Sequence, residues 1–212
     1  MEYDLKIIRS NRKSVSLSVS PENEITVRCP LKFSESRINS FVADKRQWLE
    51  KILNKNLIKL SENKSIVDYN EIYVCGKKFP LKFCNKNEIS ENTVYVKNVK
   101  QIKKLFIDRF WTEFEVNARK ISEVTGLSAN SFFIKAYKRR WGCCDLKGNI
   151  TFNYILFMLP RRLQNYVIIH ELCHTVYFNH TAEFWRLVAC FEPEYKKMRT
   201  VLKGFDYITN LY

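Results

Sequence analysis

The chain has 212 residues, 46% hydrophobic and 27% charged, with a formal net charge of +14. That is the composition of an ordinary soluble globular protein, long enough for one large domain or two small ones with a buried core. Three classes are not expected: a membrane-spanning protein, since the longest apolar run, around Ile150 to Leu159, is short and broken by Asn153; a secreted precursor, since Met1-Glu2-Tyr3-Asp4 lacks the charged and apolar regions of a signal; and a disulfide framework, since the seven cysteines are odd in number and scattered. No C-x-x-C pair is present, which argues against a thiolate zinc knot, and the cysteine usage fits a reducing cytoplasm. The excess of positive charge predicts attraction to polyanions such as nucleic acid, anionic lipid or phosphorylated ligands.

In chain order, Leu5 to Ile8 reads as a strand. Val15 to Ser20 and Ile25 to Cys29 alternate apolar and polar residues around the Pro21-Glu22-Asn23-Glu24 turn, the pattern of an antiparallel hairpin. Ser34 or Ser36 then caps a helix whose stripe is Ile38, Phe41, Val42, Trp48, Leu49, Ile52, Leu53, Leu57 and Leu60. Lys51, Lys55 and Lys59 line its other side and read as a solvated face. Ser61 to Lys64 reads as a loop. Glu71 to Val74 and Phe79 to Phe83 read as strands joined through Cys75-Gly76, Val94 to Val96 as a third, and the polar stretch Cys84 to Asn92 as a flexible link. Gln101 to Val124 reads as a long helix stopped by Thr125-Gly126. Phe132 to Tyr137 and Ile150 to Tyr154 are strand candidates flanking a turn at 146–149. Pro160 opens a helix, and Ala182 to Cys190 and Glu194 to Leu202 are two more. Strands come first and helices dominate later, which predicts an α+β chain. The expected division is a β-rich N-terminal region, 1–98, with antiparallel hairpins and one amphipathic helix, and a metal-binding catalytic domain, 99–212.

The chemistry concentrates at His170-Glu171-Leu172-Cys173-His174, an H-E-x-x-H pattern followed at His180 by another histidine; these are the chain's only three. Residues four apart share a helix face, so His170 and His174 can aim at one point. Glu171 lies further round the helix, within reach of a water there. His180 can join only if the helix ends near Tyr177 to Asn179 and the chain turns back, with Asn179 as a left-handed terminator. Catalytic zinc takes three protein ligands and keeps a position for a water whose pKa falls to about 7. The expected site is therefore zinc on His170, His174 and His180, with Glu171 as general base and then acid. The five-residue pattern alone occurs by chance in helices; here the apolar flanks Tyr166 to Ile169, Leu172 and Val176, together with the third histidine, favour a catalytic metal.

Several further stretches carry a resemblance: Lys138-Arg139-Arg140-Trp141-Gly142-Cys143-Cys144, Gly148 to Asn153, Tyr166 to His174, Asn179-His180-Thr181 and Phe184-Trp185. Together with Val27-Arg28-Cys29-Pro30, the helix carrying Trp48, and Val74-Cys75-Gly76, they resemble the YgjP-like metallopeptidase family, related to SprT-type zinc proteases, over nearly the whole chain. The resemblance implies a minimal zincin, with a small sheet beside the active-site helix and an edge strand able to pair with an extended peptide. It places the zinc ligands on His170, His174 and His180 and the catalytic glutamate on Glu171. Cys143 stands where the family's Trp-Gly-Ser-Cys pattern has serine. Trp141 and Gly142 fall on or near the edge strand, where a glycine admits a close backbone approach. Arg140, Asn153 and Tyr177 are candidate oxyanion partners, and Phe184-Trp185 reads as core behind the His180 turn.

The leading expectation is a zinc metallopeptidase acting on a peptide or protein; the restriction to peptide bonds comes from the resemblance. Two alternatives stand beside it. One is a metal-dependent nucleotide triphosphate phosphohydrolase on the same site, an activity with which the family has been linked, although no G-x-x-x-x-G-K loop is present. The other is a basic nucleic-acid-binding protein, whose salt-dependent binding would survive loss of Glu171.

Overall fold

The computed structural model describes residues 3–20, 23–62 and 64–211. The chain is α+β. It divides into two compact units, Met1–Val67 and Asp68–Tyr212. The order of elements put the expected boundary at 98/99; the compact units divide at 67/68, with the strands between 71 and 96 in the second.

In the first unit, β1 (Leu5–Ser10), β2 (Ser16–Val19) and β3 (Ile25–Pro30) form a sheet in the order β1-β3-β2. β2 and β3 form the expected antiparallel pair, whereas β1 joins β3 in parallel. Residues 21 and 22 of the expected turn lie outside the described residues. Ile25, Val27 and Cys29 alternate onto one face and pack with Ile38, Val42 and Leu49. The helix expected after Ser34 is two helices, α1 (Glu35–Asp44) and α2 (Arg46–Glu62). Ser34 caps the first, its hydroxyl accepting from the Arg37 N–H. Lys45 breaks the run with a non-helical backbone, its N–H donating to Val42. The break ends the single stripe: Leu49 is buried and Leu53 packs on the core, but Trp48 and Leu57 are 43% and 55% exposed. The side chains of Lys59 and Leu60 lie outside the described ones. The expected loop after Leu60 is largely helical, running to Glu62 and resuming as α3 (Lys64–Val67).

The second unit opens with β4 (Glu71–Val74), β5 (Lys77–Phe83), β6 (Glu88–Ser90) and β7 (Thr93–Val96), in the order β4-β5-β7-β6. β6 occupies the stretch expected to be a flexible link; its pairing with β7 supplies the order that its polar sequence conceals. Cys75 and Gly76 turn β4 into β5 with φ of 48° and 86°. Their N–H groups donate to the Phe157 and Met158 carbonyls at 2.9 Å, and Gly76 meets Pro160 so closely that a Cβ there would stand 2.6 Å from the proline Cγ. The hairpin tip is thereby tied to the segment leading into the histidine helix.

α4 (Val99–Thr125) buries Ile102, Phe106, Phe114 and Ala118 and stops at Gly126, whose φ is 69°. Its Phe114 ring meets Phe152 and Phe157 edge-on at 5.0 and 5.5 Å. β8 (Ser131–Lys135), β9 (Gly142–Cys144) and β10 (Asn149–Asn153) form a three-stranded sheet in the order β8-β10-β9, with β8 parallel and β9 antiparallel to the central strand. A buried 3-10 turn, Tyr154–Met158, leads to α5 (Arg161–Cys173), then α6 (Ala182–Phe191) and α7 (Tyr195–Gly204). α5 buries Tyr166, Val167, Ile168, Ile169, Leu172 and Cys173, so it is apolar nearly all round, as a helix packed on several sides must be. No helix among the described residues is long and apolar enough to cross a membrane.

Candidate metal centre

α5 ends at Cys173, earlier than expected, with His174 as its helical C-cap. The chain then leaves through successive turns, with Thr175, Val176 and Tyr177 N–H groups donating back to Leu172 and Cys173. Asn179 is not among the residues with positive φ; tertiary packing, not a left-handed terminator, carries the chain back. Phe184 explains why. Fully buried at the start of α6, it lies against all three imidazoles, at 5.0 Å from His170, 4.4 Å from His174 and 4.8 Å from His180. Thr181 caps α6 through its hydroxyl and so fixes the residue next to His180.

The three histidines each offer a ring nitrogen within 4.8 Å of the others. His170 Nε2 and His180 Nε2 are 3.1 Å apart, close to the roughly 3.3 Å expected of two nitrogens sharing one tetrahedral zinc. His174 Nδ1 donates to the Tyr177 carbonyl at 2.9 Å, which leaves Nε2 free to face the other two rings, the usual outer support of a metal-bound imidazole. Burial holds the pKa of each histidine below its ordinary value: His170 to about 3, with the neighbouring rings and Arg199 adding to the effect, and His174 and His180 in the same direction. All three therefore present unprotonated nitrogens at neutral pH, the form that binds a metal. The residues fit a divalent ion on chemistry, geometry and protonation.

Glu171 is 6% exposed, and burial pushes its pKa up to about 8, while the nearby Arg140 charge pulls the other way. Its side chain lies on Gly142 in β9. A Cβ at Gly142 would stand 2.9 Å from both Cγ and Oε1 of Glu171. The close approach that this glycine allows is thus that of the glutamate, across the contact between α5 and the edge strand.

Two depressions meet at the triad. One, of about 520 Å³, is lined by Arg139, Arg140, Trp141, Tyr166, Trp185 and Arg199 among others; the second, of about 270 Å³, by Cys143, Cys144, His174 and Phe178. Gly142, Arg140, His170, Glu171 and His180 border both. Trp141 also donates from Nε1 to Asp206 at 3.1 Å. The structure does not bring Asn153 or Tyr177 to either lining. Asn153 is fully buried; its amide donates to the Tyr137 and Arg140 carbonyls at 2.8 and 2.7 Å, and so holds the loop that delivers Arg140 and Trp141. Tyr177 contributes its backbone carbonyl to His174, while its side chain is exposed. Trp185, expected in the core, is a cavity wall. Arg199 was not legible: one arginine on an amphipathic helix carries no mark of the cavity it faces.

A family model described as YgjP-like, metallopeptidase domain, matches residues 13–205, a span that takes in the histidines, Glu171 and parts of both compact units. No curated protein matches. A solved structure, the crystal structure of the metallopeptidase zymogen of Pyrococcus abyssi abylysin, is similar over 42% of this chain and 90% of its own, at 24% sequence identity and a TM-score of 0.38.

Proposed function

The chain belongs to the YgjP-like metallopeptidase-domain family, and from that premise we propose that it is a zinc-dependent peptidase with His170, His174 and His180 as ligands and Glu171 as its proton carrier. The observation that carries the reading is the convergence of three imidazoles beside a buried glutamate. Zinc held there supplies Lewis acidity and an acidified water nucleophile. The charge of a bound dication would draw Glu171 back to its ionised form, below the value burial gives it in the metal-free site, so that it can accept the proton of the attacking water and return it to the departing amine.

β9 is an edge strand in the sheet order, and Gly142 on it borders both depressions. An extended peptide can therefore add to β9 by backbone hydrogen bonds and run from one depression to the other across the triad, as in a zincin. Of the three candidate oxyanion partners, Arg140 is the one that lines the cavities with its side chain near Glu171. All seven cysteines are unpaired, which supports a reducing, cytoplasmic setting.

A second reading, a nucleotide triphosphate phosphohydrolase on the same residues, is favoured by the arginines around the larger depression. It expects phosphate release that is lost in Glu171→Gln. The peptidase reading expects about one zinc per purified chain, with peptide cleavage removed by a chelator and restored by zinc. Cleavage that persists in metal-free protein, or that is absent from a broad peptide library at full zinc loading, overturns it.

A further inference from the structure

The larger depression contains more positive charge than metal-centred hydrolysis uses. Arg199, on α7, has its guanidinium carbon 4.8 Å from the Trp185 ring centre. Trp185 in turn stacks on His180, with centroids 5.4 Å apart and planes at 20°, and on Tyr195, at 5.3 Å and 17°. The 4.8 and 5.4 Å spacings put the Arg199 charge within about 10 Å of the His180 ring. The contact restrains an exposed arginine, since a guanidinium over an indole face is attracted to it. Arg139 reaches the same depression from the loop before β9.

Arg119, Arg161, Arg162 and Arg186 each pair with a glutamate. Among the described residues, Arg139 and Arg199 have no such partner, and Glu171 is the acidic side chain that lines the depression. Two uncompensated guanidiniums in a concave, aromatic-walled site focus a positive potential. Their planar forks match a carboxylate in two-point contact.

We infer that Arg199, assisted by Arg139, holds a carboxylate of the peptide substrate close to the bond that is cleaved. The inference rests on the peptidase reading. Backbone advances by about 3.3–3.6 Å per residue; a separation of at most about 10 Å from the His180 ring therefore keeps that carboxylate within about three residues of the bond, on an acidic side chain or on a free C-terminus. The protein thus selects acidic or C-terminal peptide segments, despite an apolar and aromatic cavity wall.

The test is binding to full-length, zinc-loaded Glu171→Gln protein by fluorescence anisotropy. Labelled peptides of one neutral sequence are compared with the same sequence carrying glutamate or glutamine at single positions, each with a free or an amidated C-terminus. The glutamate or the free terminus is expected to bind about tenfold more tightly than its uncharged counterpart. Arg199→Gln should erase that preference, Arg139→Gln should reduce it, and Lys120→Gln, an exposed charge on α4, should leave it intact. The position of the preferred glutamate, or its replacement by the free terminus, tells the two carboxylate sources apart. Equal binding of charged and uncharged peptides, or a preference that survives Arg199→Gln, overturns the inference. So does a nucleoside triphosphate that displaces the acidic peptide at lower concentration than the peptide's own unlabelled form, since the depression would then be a phosphate site. Wild-type cleavage of the same peptides reports separately on the peptidase reading: carboxylate-selective binding without any cleavage removes the catalytic claim and leaves the arginine site standing.

Discussion

Replacing Glu171 with glutamine is expected to leave zinc content at the wild-type level and to lower peptide hydrolysis by about 10²–10⁴-fold, the range for loss of a positioned general base. The metal is retained because the substitution touches none of the three imidazoles that converge within 4.8 Å. Turnover should be lost because an amide of the same shape cannot take the proton of the attacking water. The variant also carries a pH signature in metal-free protein. Burial raises the Glu171 pKa from its ordinary value to about 8. Between those values the folded chain keeps a proton that the unfolded chain has released, so wild-type stability falls as pH rises towards 8. Glutamine does not titrate. The stability difference between variant and wild type should therefore move in the variant's favour from pH 5 to pH 8, measured as urea midpoints after chelation. A difference that stays flat with pH contradicts the burial of an unpaired carboxylate.

Gly142→Ala should cost about 10²-fold in kcat, the scale of a misplacement near 1 Å in a catalytic group, while zinc content and fold are retained. The backbone at Gly142 is not in the left-handed region, so alanine suits it conformationally. The cost arises in the contact: the new methyl would stand 2.9 Å from Cγ and Oε1 of Glu171. In a buried site one of the two must yield. Either the carboxylate is pushed out of its position, or the edge strand that would receive the peptide backs away from α5. The first lowers kcat at constant KM, and the second raises KM as well, so steady-state kinetics tell them apart. Activity within threefold of wild type would show that the glycine imposes no constraint on the glutamate.

Parts of this were legible in the chain and parts were not, for physical reasons. Alternation in Ile25 to Cys29 and the run of Ile102, Phe106, Phe114 and Ala118 report directly which faces are buried, because period-two and period-3.6 patterns are imposed by burial itself. The i, i+4 spacing of His170 and His174 likewise reports a shared helix face. What lay beyond local pattern was misjudged or missed. β6 is three residues held by a neighbouring strand, and its own composition is that of a loop. The return of His180 depends on Phe184 filling the space beneath three rings, a contact made by the fold and not by any terminating residue. Asn153 offers an amide that resembles a catalytic donor in the sequence; the fold uses it to hold the loop at residues 137–140. Arg199 enters the cavity only because α7 packs beside α5, a non-local event with no sequence marker.

Anomalous diffraction at the zinc edge, from crystals grown without added metal chelator, tests the centre directly. The account predicts a single strong peak about 2.0–2.1 Å from ring nitrogens of His170, His174 and His180, with no fourth protein ligand and the Glu171 carboxylate alongside but unbound. A peak elsewhere in the chain, or one at the triad whose fourth position is filled by a side chain such as that of Cys144, contradicts it.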